Sequence, residues 1–178
     1  MKKILVTGGA GFIGNNLVRK LNKIGYEVCV LDDFSRGVNS RLSDIESDIK
    51  ILDINICNTE QILNISFSPD VIIHLAAVNG TENFYNKPDK VLEVGVKGTM
   101  NIMDFSIKSG CKKFIFASSA EVYHHPEQIP TDEFTPLIIP DNKNSRFSYS
   151  SSKISRSSIS IYMKIRSRSI CPDADSTR

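Results

Sequence analysis

A chain of 178 residues, 40% apolar and 24% charged, is long enough to bury one sizeable core and has the make-up of a globular domain. A net charge of +2 gives no basic surplus with which to track a polyanion, so nucleic acid is not an expected partner. No apolar run reaches the length of a membrane span, and the one that follows Lys2 and Lys3 stops at Thr7-Gly8, too soon for an export signal.

The first element is a short apolar strand, Ile4, Leu5 and Val6, which runs into a turn carrying Gly8, Gly9, Gly11 and Gly14. That spacing satisfies G-x-G-x-x-G, in which glycines permit positive φ and let the main chain approach a phosphate. A helix opening near Phe12 and Ile13 then aims its free N–H groups and the positive end of its dipole at such a phosphate. Ile13, Leu17, Leu21 and Ile24 recur at helical spacing, Gly25 closes the helix, and residues 27–31 (EVCVL) read as the second strand. Asp32 ends that strand eighteen positions after Gly14, where a carboxylate accepts hydrogen bonds from ribose hydroxyls and repels a 2′-phosphate, favouring NAD over NADP. Arg36 lies close behind it.

Strand, loop and helix then alternate, which implies parallel strands joined by crossover helices. Residues 48–54 read as a third strand, 59–65 as a short helix and 70–77 (DVIIHLAA) as a fourth strand, apolar on both faces. Residues 91–109 form a long helix with Val91, Val94, Gly98, Ile102, Phe105 and Ile107 near one side, and 113–119 (KFIFASS) a fifth strand. Pro126, Pro130, Pro136 and Pro140 make 123–147 an irregular loop, followed by a helix over 149–165. The fold class is α/β, a Rossmann-like doubly wound parallel sheet over residues 1–165, whose carboxyl edge carries Gly8, Asp32, Asp53, Ala76 and Ser119 around a ligand crevice. The four cysteines show no C-x-x-C spacing, which suits a reduced cytoplasm and argues against a zinc site.

Tyr149 and Lys153 are four apart on one helix face. An ammonium beside a phenol favours phenolate, so the expectation is a tyrosine of lowered pKa acting as general base or acid. Ser119, at the end of the fifth strand, can hydrogen-bond the same substrate oxygen.

Taken together these segments resemble the extended short-chain dehydrogenase/reductases, the family of NAD-dependent sugar-nucleotide epimerases and dehydratases. TGGAGFIG (residues 7–14) is similar to the family's cofactor loop, LDDFSRG (31–37) to its ribose-recognition segment, and Asp53-Ile54 to its adenine contact. HLAA (74–77) resembles the strand beside the nicotinamide ribose, which implies cofactor contacts at Leu75, Ala76 and Ala77. ASSAEVY (117–123) and YSSSK (149–153) resemble the catalytic segments, with Ser119, Tyr149 and Lys153 in the catalytic positions. The resemblance implies that Tyr149 takes a proton from a sugar hydroxyl while hydride passes to NAD, that Ser119 orients the hydroxyl, and that Lys153 tunes Tyr149 and binds the nicotinamide ribose. It implies a UDP- or dTDP-linked sugar as substrate, a cytoplasmic place in cell-envelope polysaccharide biosynthesis, and homodimer pairing through helices 91–109 and 149–165.

The chain departs from the family in places. Gly95-Val96-Lys97-Gly98-Thr99 stands where Asn usually precedes V-x-G-T, so a steadying hydrogen bond is expected to be missing. His124 and His125 replace the usual glycine; adjacent histidines point apart, so they are expected to be exposed loop residues and no metal ligands. Ala120 replaces the acid that dehydratases carry while Glu121 remains, which favours epimerisation or simple oxidation. From 145 to 178, 34 residues include 12 serines, so a Ser/Arg-rich disordered tail is expected over 166–178. The C-terminal sugar-nucleotide region of the family is missing, which suggests a truncated or frame-shifted copy with impaired turnover, or a non-catalytic NAD-binding module or inactive fragment.

Overall fold

The computed structural model describes residues 1–170, with side chains for residues 1–159. In chain order it contains β1 (Lys3–Thr7), α1 (Phe12–Lys23), β2 (Glu27–Asp32), β3 (Lys50–Asp53), α2 (Thr59–Leu63), β4 (Val71–His74), α3 (Thr81–Asn86) and α4 (Pro88–Leu92). A π-helical turn (Glu93–Gly98), α5 (Thr99–Lys108), β5 (Lys113–Phe116) and α6 (Ser148–Ile170) complete it. The residues fall into two compact units: 1–77 with 97–117, and 78–96 with those from 118 on.

The first unit holds one parallel sheet in the order β3-β2-β1-β4-β5. The chain winds outward from β1 to β3, returns to the centre and continues through β4 to β5, which is the doubly wound, Rossmann-like arrangement. Register places Thr7 beside both Leu31 and His74, so the carboxyl ends of the three central strands lie level. Ile4, Leu5 and Val6 of β1 and Val28, Cys29, Val30 and Leu31 of β2 are fully buried, because crossover helices cover a parallel sheet on both faces. The edge strand β5 alternates between exposed and half-buried positions, and β3 is exposed at both ends with Ile51 and Leu52 half-buried.

Two expectations about helices need correction. In α1 the buried positions are Gly14, Val18 and Leu21, whereas Ile13 is 71% and Ile24 59% exposed. The main chain of Gly14 packs against Gly8, which turns that face of the helix inward and leaves Ile13 outside. The helix expected over 91–109 starts earlier, at Pro88 in the favoured first position, and is interrupted by the π turn. Within that turn a Cβ on Gly98 would lie 2.6 Å from Ile56 Cδ1, so a side chain there would have to displace the end of Ile56.

The second unit contains α3, α4, the long loop and α6. Helix α3, unforeseen in the sequence, follows Gly80 at φ 112° and sets Phe84 into the interior. Helix α6 continues to Ile170, five residues past the expected end, because nothing before Pro172 breaks the Ser/Arg run. The remainder of the expected tail lies outside the described residues.

Candidate functional site

In the first unit the turn after β1 is built from main-chain contacts. The Gly8 N–H donates to Leu31 O at 2.7 Å, and Gly8 has φ 71° with its Cα so near β4 that a Cβ would lie 2.9 Å from Ala76 N. A Cβ on Gly14 would lie 2.1 Å from Gly8 O. This is a cradle that any side chain would fill. Helix α1 rises from it with Gly11 at the N-cap, no capping side chain and no acidic residue in its first turn, so its N–H groups and dipole favour an anion. Phe12 and Ile13 open the helix from exposed positions.

Asp32 closes the cradle from β2. Its Oδ2 accepts from Ala10 N at 2.9 Å and its Oδ1 from Phe34 N at 3.0 Å. Burial raises its pKa, the two N–H groups oppose that, and the Asp33 and Asp53 charges add to the rise. Asp53 and Ile54 stand at the carboxyl end of β3, where Ile54 N donates to Asp32 O at 3.2 Å, and Arg36 is exposed on the loop beyond Asp32. The first unit thus gathers Gly8, Gly11, Gly14, Asp32, Asp53 and Ile54 with Leu75, Ala76 and Ala77, which follow β4. A network that the sequence did not disclose anchors the last three: Ala76 N donates to Thr7 Oγ1 at 3.1 Å, Thr7 Oγ1 pairs with His74 Nδ1 at 2.7 Å, and His74 Nε2 with Thr99 Oγ1 at 3.1 Å. These residues fit an adenine dinucleotide: a glycine cradle and helix terminus suit a pyrophosphate, and a carboxylate with lone pairs to spare suits a ribose diol.

The second unit brings Ser119, Tyr149 and Lys153 together. Ser119 caps the short 3-10 turn Ala120–Val122, accepting from Glu121 N at 3.2 Å, and its side chain is near enough to the Tyr149 phenol to favour its ionised form. Lys153 Nζ lies 5.3 Å from the centroid of the Tyr149 ring, and Phe84 stacks on that ring at 5.1 Å with planes 19° apart.

The electrostatics reverse one expectation. Burial pushes the Tyr149 phenol up from its ordinary value; the Arg156 charge and the Ser119 side chain work against this, while Glu121 reinforces it. Lys153 is only 2% exposed, and burial, with Arg156 adding repulsion, brings it down to about 7. An ammonium held so low is half neutral at physiological pH and sits over the ring face, so it does not by itself favour phenolate. Arg156, also unforeseen, is fully buried and its Nε donates to Gly95 O at 3.0 Å. At Gly95, where the family has Asn, an added Cβ would lie 2.4 Å from Ser152 Cβ, so this packing leaves no room for that side chain.

His124 is a further correction: it is half-buried at φ 51°, edge-on to Phe147 at 4.8 Å, with Nε2 paired to Ser150 Oγ at 3.3 Å. Burial lowers its pKa. His125 is exposed. Among the described residues no group of His, Cys, Asp or Glu is arranged to hold a metal ion, and no helix is long and apolar enough to cross a membrane.

The family model described as "NAD dependent epimerase/dehydratase family" matches residues 4–166. A UDP-N-acetyl-alpha-D-glucosaminuronate decarboxylase of Bacillus cytotoxicus is 38% identical over 122 residues, covering 68% of this chain and 38% of the relative. Among solved structures, the UDP-glucose 4-epimerase of Thermotoga maritima with UDP-glucose aligns with a TM-score of 0.81 and 29% identity, over 90% of this chain and 50% of that one. The Thermus thermophilus UDP-glucose 4-epimerase complex with NAD gives a TM-score of 0.79 and 27% identity, over 91% and 51% of the two chains. The chain spans about half the length of these epimerases and less of the decarboxylase. From the glycine cradle to the Tyr149 helix, the match runs through every element just described: the chain belongs to the NAD dependent epimerase/dehydratase family.

Proposed function

We propose that this chain binds NAD and carries the acid-base residues of an enzyme that oxidises a hydroxyl of a UDP-linked sugar in the course of epimerisation or a related conversion. The observation that carries the reading is the cluster of Ser119, Tyr149 and Lys153 in one unit, with the serine side chain acting on the phenol and the lysine over its ring. NAD, when bound, supplies the hydride acceptor.

The chain's own residues do the rest. The main chain around Gly8, Gly11, Phe12, Ile13 and Gly14 binds pyrophosphate, Asp32 binds the adenosine ribose, Asp53 and Ile54 meet the adenine, Arg36 flanks them, and Leu75, Ala76 and Ala77 line the nicotinamide ribose side. Tyr149 removes the hydroxyl proton and Ser119 orients that hydroxyl. Lys153 binds the nicotinamide ribose and, once protonated, stabilises the phenolate. The relatives named above act on UDP-sugars, which supports a UDP-sugar here. Ala120 beside Glu121 supports epimerisation over dehydration. We place the activity in the cytoplasm, in the supply of sugars for cell-envelope polysaccharide, in a homodimer paired through the 91–109 and 149–165 helices; Leu92 and Met100, apolar and exposed, support that pairing.

Titration of the purified chain with NAD tests the reading. The expected result is saturable binding that Asp32→Asn weakens by about tenfold and Tyr149→Phe leaves unchanged, with NADH formation on UDP-sugars lost in Tyr149→Phe. A cooperatively folded chain that binds no NAD overturns it.

A further inference from the structure

Tyr149 is held by more than the serine and lysine of its motif. Phe84, on α3, is 1% exposed and covers one face of the phenol ring. The Arg146 guanidinium lies 5.1 Å from the centroid of Phe84, and its Nη1 donates to Glu121 Oε2 at 3.0 Å. Glu121 belongs to the same short turn as Ser119 and donates its N–H to the Ser119 hydroxyl. The contacts therefore run as a chain within one unit: Tyr149 to Phe84 by stacking, Phe84 to Arg146 by cation–π contact, Arg146 to Glu121 by an ion pair, and Glu121 to Ser119, whose side chain and the Glu121 charge both act on the Tyr149 phenol.

We propose that Arg146 is a positioning residue for Tyr149: it presses Phe84 against the phenol ring and compensates the Glu121 carboxylate that stands beside the phenol. This rests on the reading of Tyr149 as the acid-base residue. Arginine suits the task because a planar guanidinium stacks on an aromatic ring and binds a carboxylate at the same time, which an ammonium does less well. The ion pair is only half-buried, so its worth lies in placement and charge balance more than in stability.

The charged groups around the phenol give the idea a sign. Arg156 from α6 favours phenolate and Glu121 opposes it, while Lys153 faces the ring. His124 feels both Glu121 and Arg146. Helix α4, which packs on α6, directs Val91 inward and leaves Asp89 and Lys90 exposed. Without Arg146, the Glu121 charge acts on the phenol with no counter-charge, and phenolate becomes harder to form.

The test is a phenolate absorbance titration of the apo chain, with the Tyr149 contribution isolated as the difference from Tyr149→Phe in the same background. Arg146→Met is expected to lower the phenolate fraction at fixed pH by about threefold or more. Arg146→Lys is expected to retain most of the wild-type titration, and Glu121→Gln to raise the phenolate fraction. In an Arg146→Met/Glu121→Gln double variant the loss is expected to vanish. A wild-type titration in Arg146→Met, or an undiminished loss in the double variant, overturns the proposal. If Arg146→Met does not unfold cooperatively, Glu121→Gln decides alone, and no rise overturns it. The titration needs neither NAD nor turnover. A Tyr149→Phe chain that turns over UDP-sugar like wild type thus defeats the functional reading while leaving this measurement to judge Arg146.

Discussion

In the first unit the tight places lie between main-chain atoms: Gly8 against Ala76, Gly14 against Gly8, Gly8 N–H on Leu31 O. In the second they lie around charged side chains driven inside, Lys153 and Arg156 above all. The first arrangement gives a shape that no local change of solvent alters. The second stores ionisable groups away from their ordinary titration ranges, so its stability and its chemistry follow pH. The backbone-built site is set by shape, whereas the charge-built site, though it too has a tight place at Gly95, also responds to protons.

The sharpest way to break this contrast is at Gly14. Alanine there places a methyl carbon 2.1 Å from a main-chain oxygen that cannot swing aside, and Gly14→Ala is expected to cost about 3 kcal/mol in urea denaturation. A cost near that of an ordinary helical Gly→Ala change would show that the cradle gives.

Lys153 provides the matching test in the second unit. Its folded value of about 7 lies below its ordinary 10.5, so between them the unfolded chain holds a proton that the folded chain has lost. Stability therefore rises with pH through that window and is reduced in full below about 7. Between pH 7 and 8, below the range in which unfolding would free the Cys29 thiol, pushed up by burial from its ordinary 9.0 to about 12, to lose its proton, the expected gain is about 1 kcal/mol. Lys153→Met should flatten that slope, as read by denaturation at each pH.

Thr7→Val, in the first unit, removes the hydroxyl that accepts from Ala76 N and pairs with His74. About 1–2 kcal/mol of destabilisation is expected in urea denaturation. The smallest effect is expected at Ile13: exposed beside the cradle, it should change stability by less than about 0.5 kcal/mol as serine, whereas Val18→Ser, in the buried stripe, should cost several times more.

The same contrast explains what could be read in advance. The cradle was legible because its requirements are local: four glycines within seven positions, an apolar strand before them and Asp32 at the next strand end. The doubly wound order followed from the alternation of apolar strands and helical spacing. Ile13 was misassigned because periodicity specifies a stripe but not which neighbouring residue the Gly14 contact turns inward. Helix α3 is too short to show a period, and the π turn leaves no signature beyond its two glycines. Ser119, Tyr149 and Lys153 were visible as motif residues, but their environment was not. It is made by Phe84, Gly95 and Glu121, distant in sequence from Tyr149, and by nearby Arg146 acting through them, and only packing reveals that burial reverses the expected lowering of the tyrosine pKa.

Asp32 carries one consequence further. Its two carboxylate oxygens already hold Ala10 on one side and Phe34 on the other, and Gly37 lies so near that a Cβ there would meet Oδ1 at 2.6 Å. The residue proposed to bind the ribose is also the peg on which the surrounding loop hangs. A lineage drifting toward a 2′-phosphorylated cofactor could not exchange this carboxylate alone: the loop would slacken before the new preference was gained, so the route runs through compensating changes in residues 33–37 first. Cofactor choice in such a site would then be tied to loop mechanics as well as to ligand contacts.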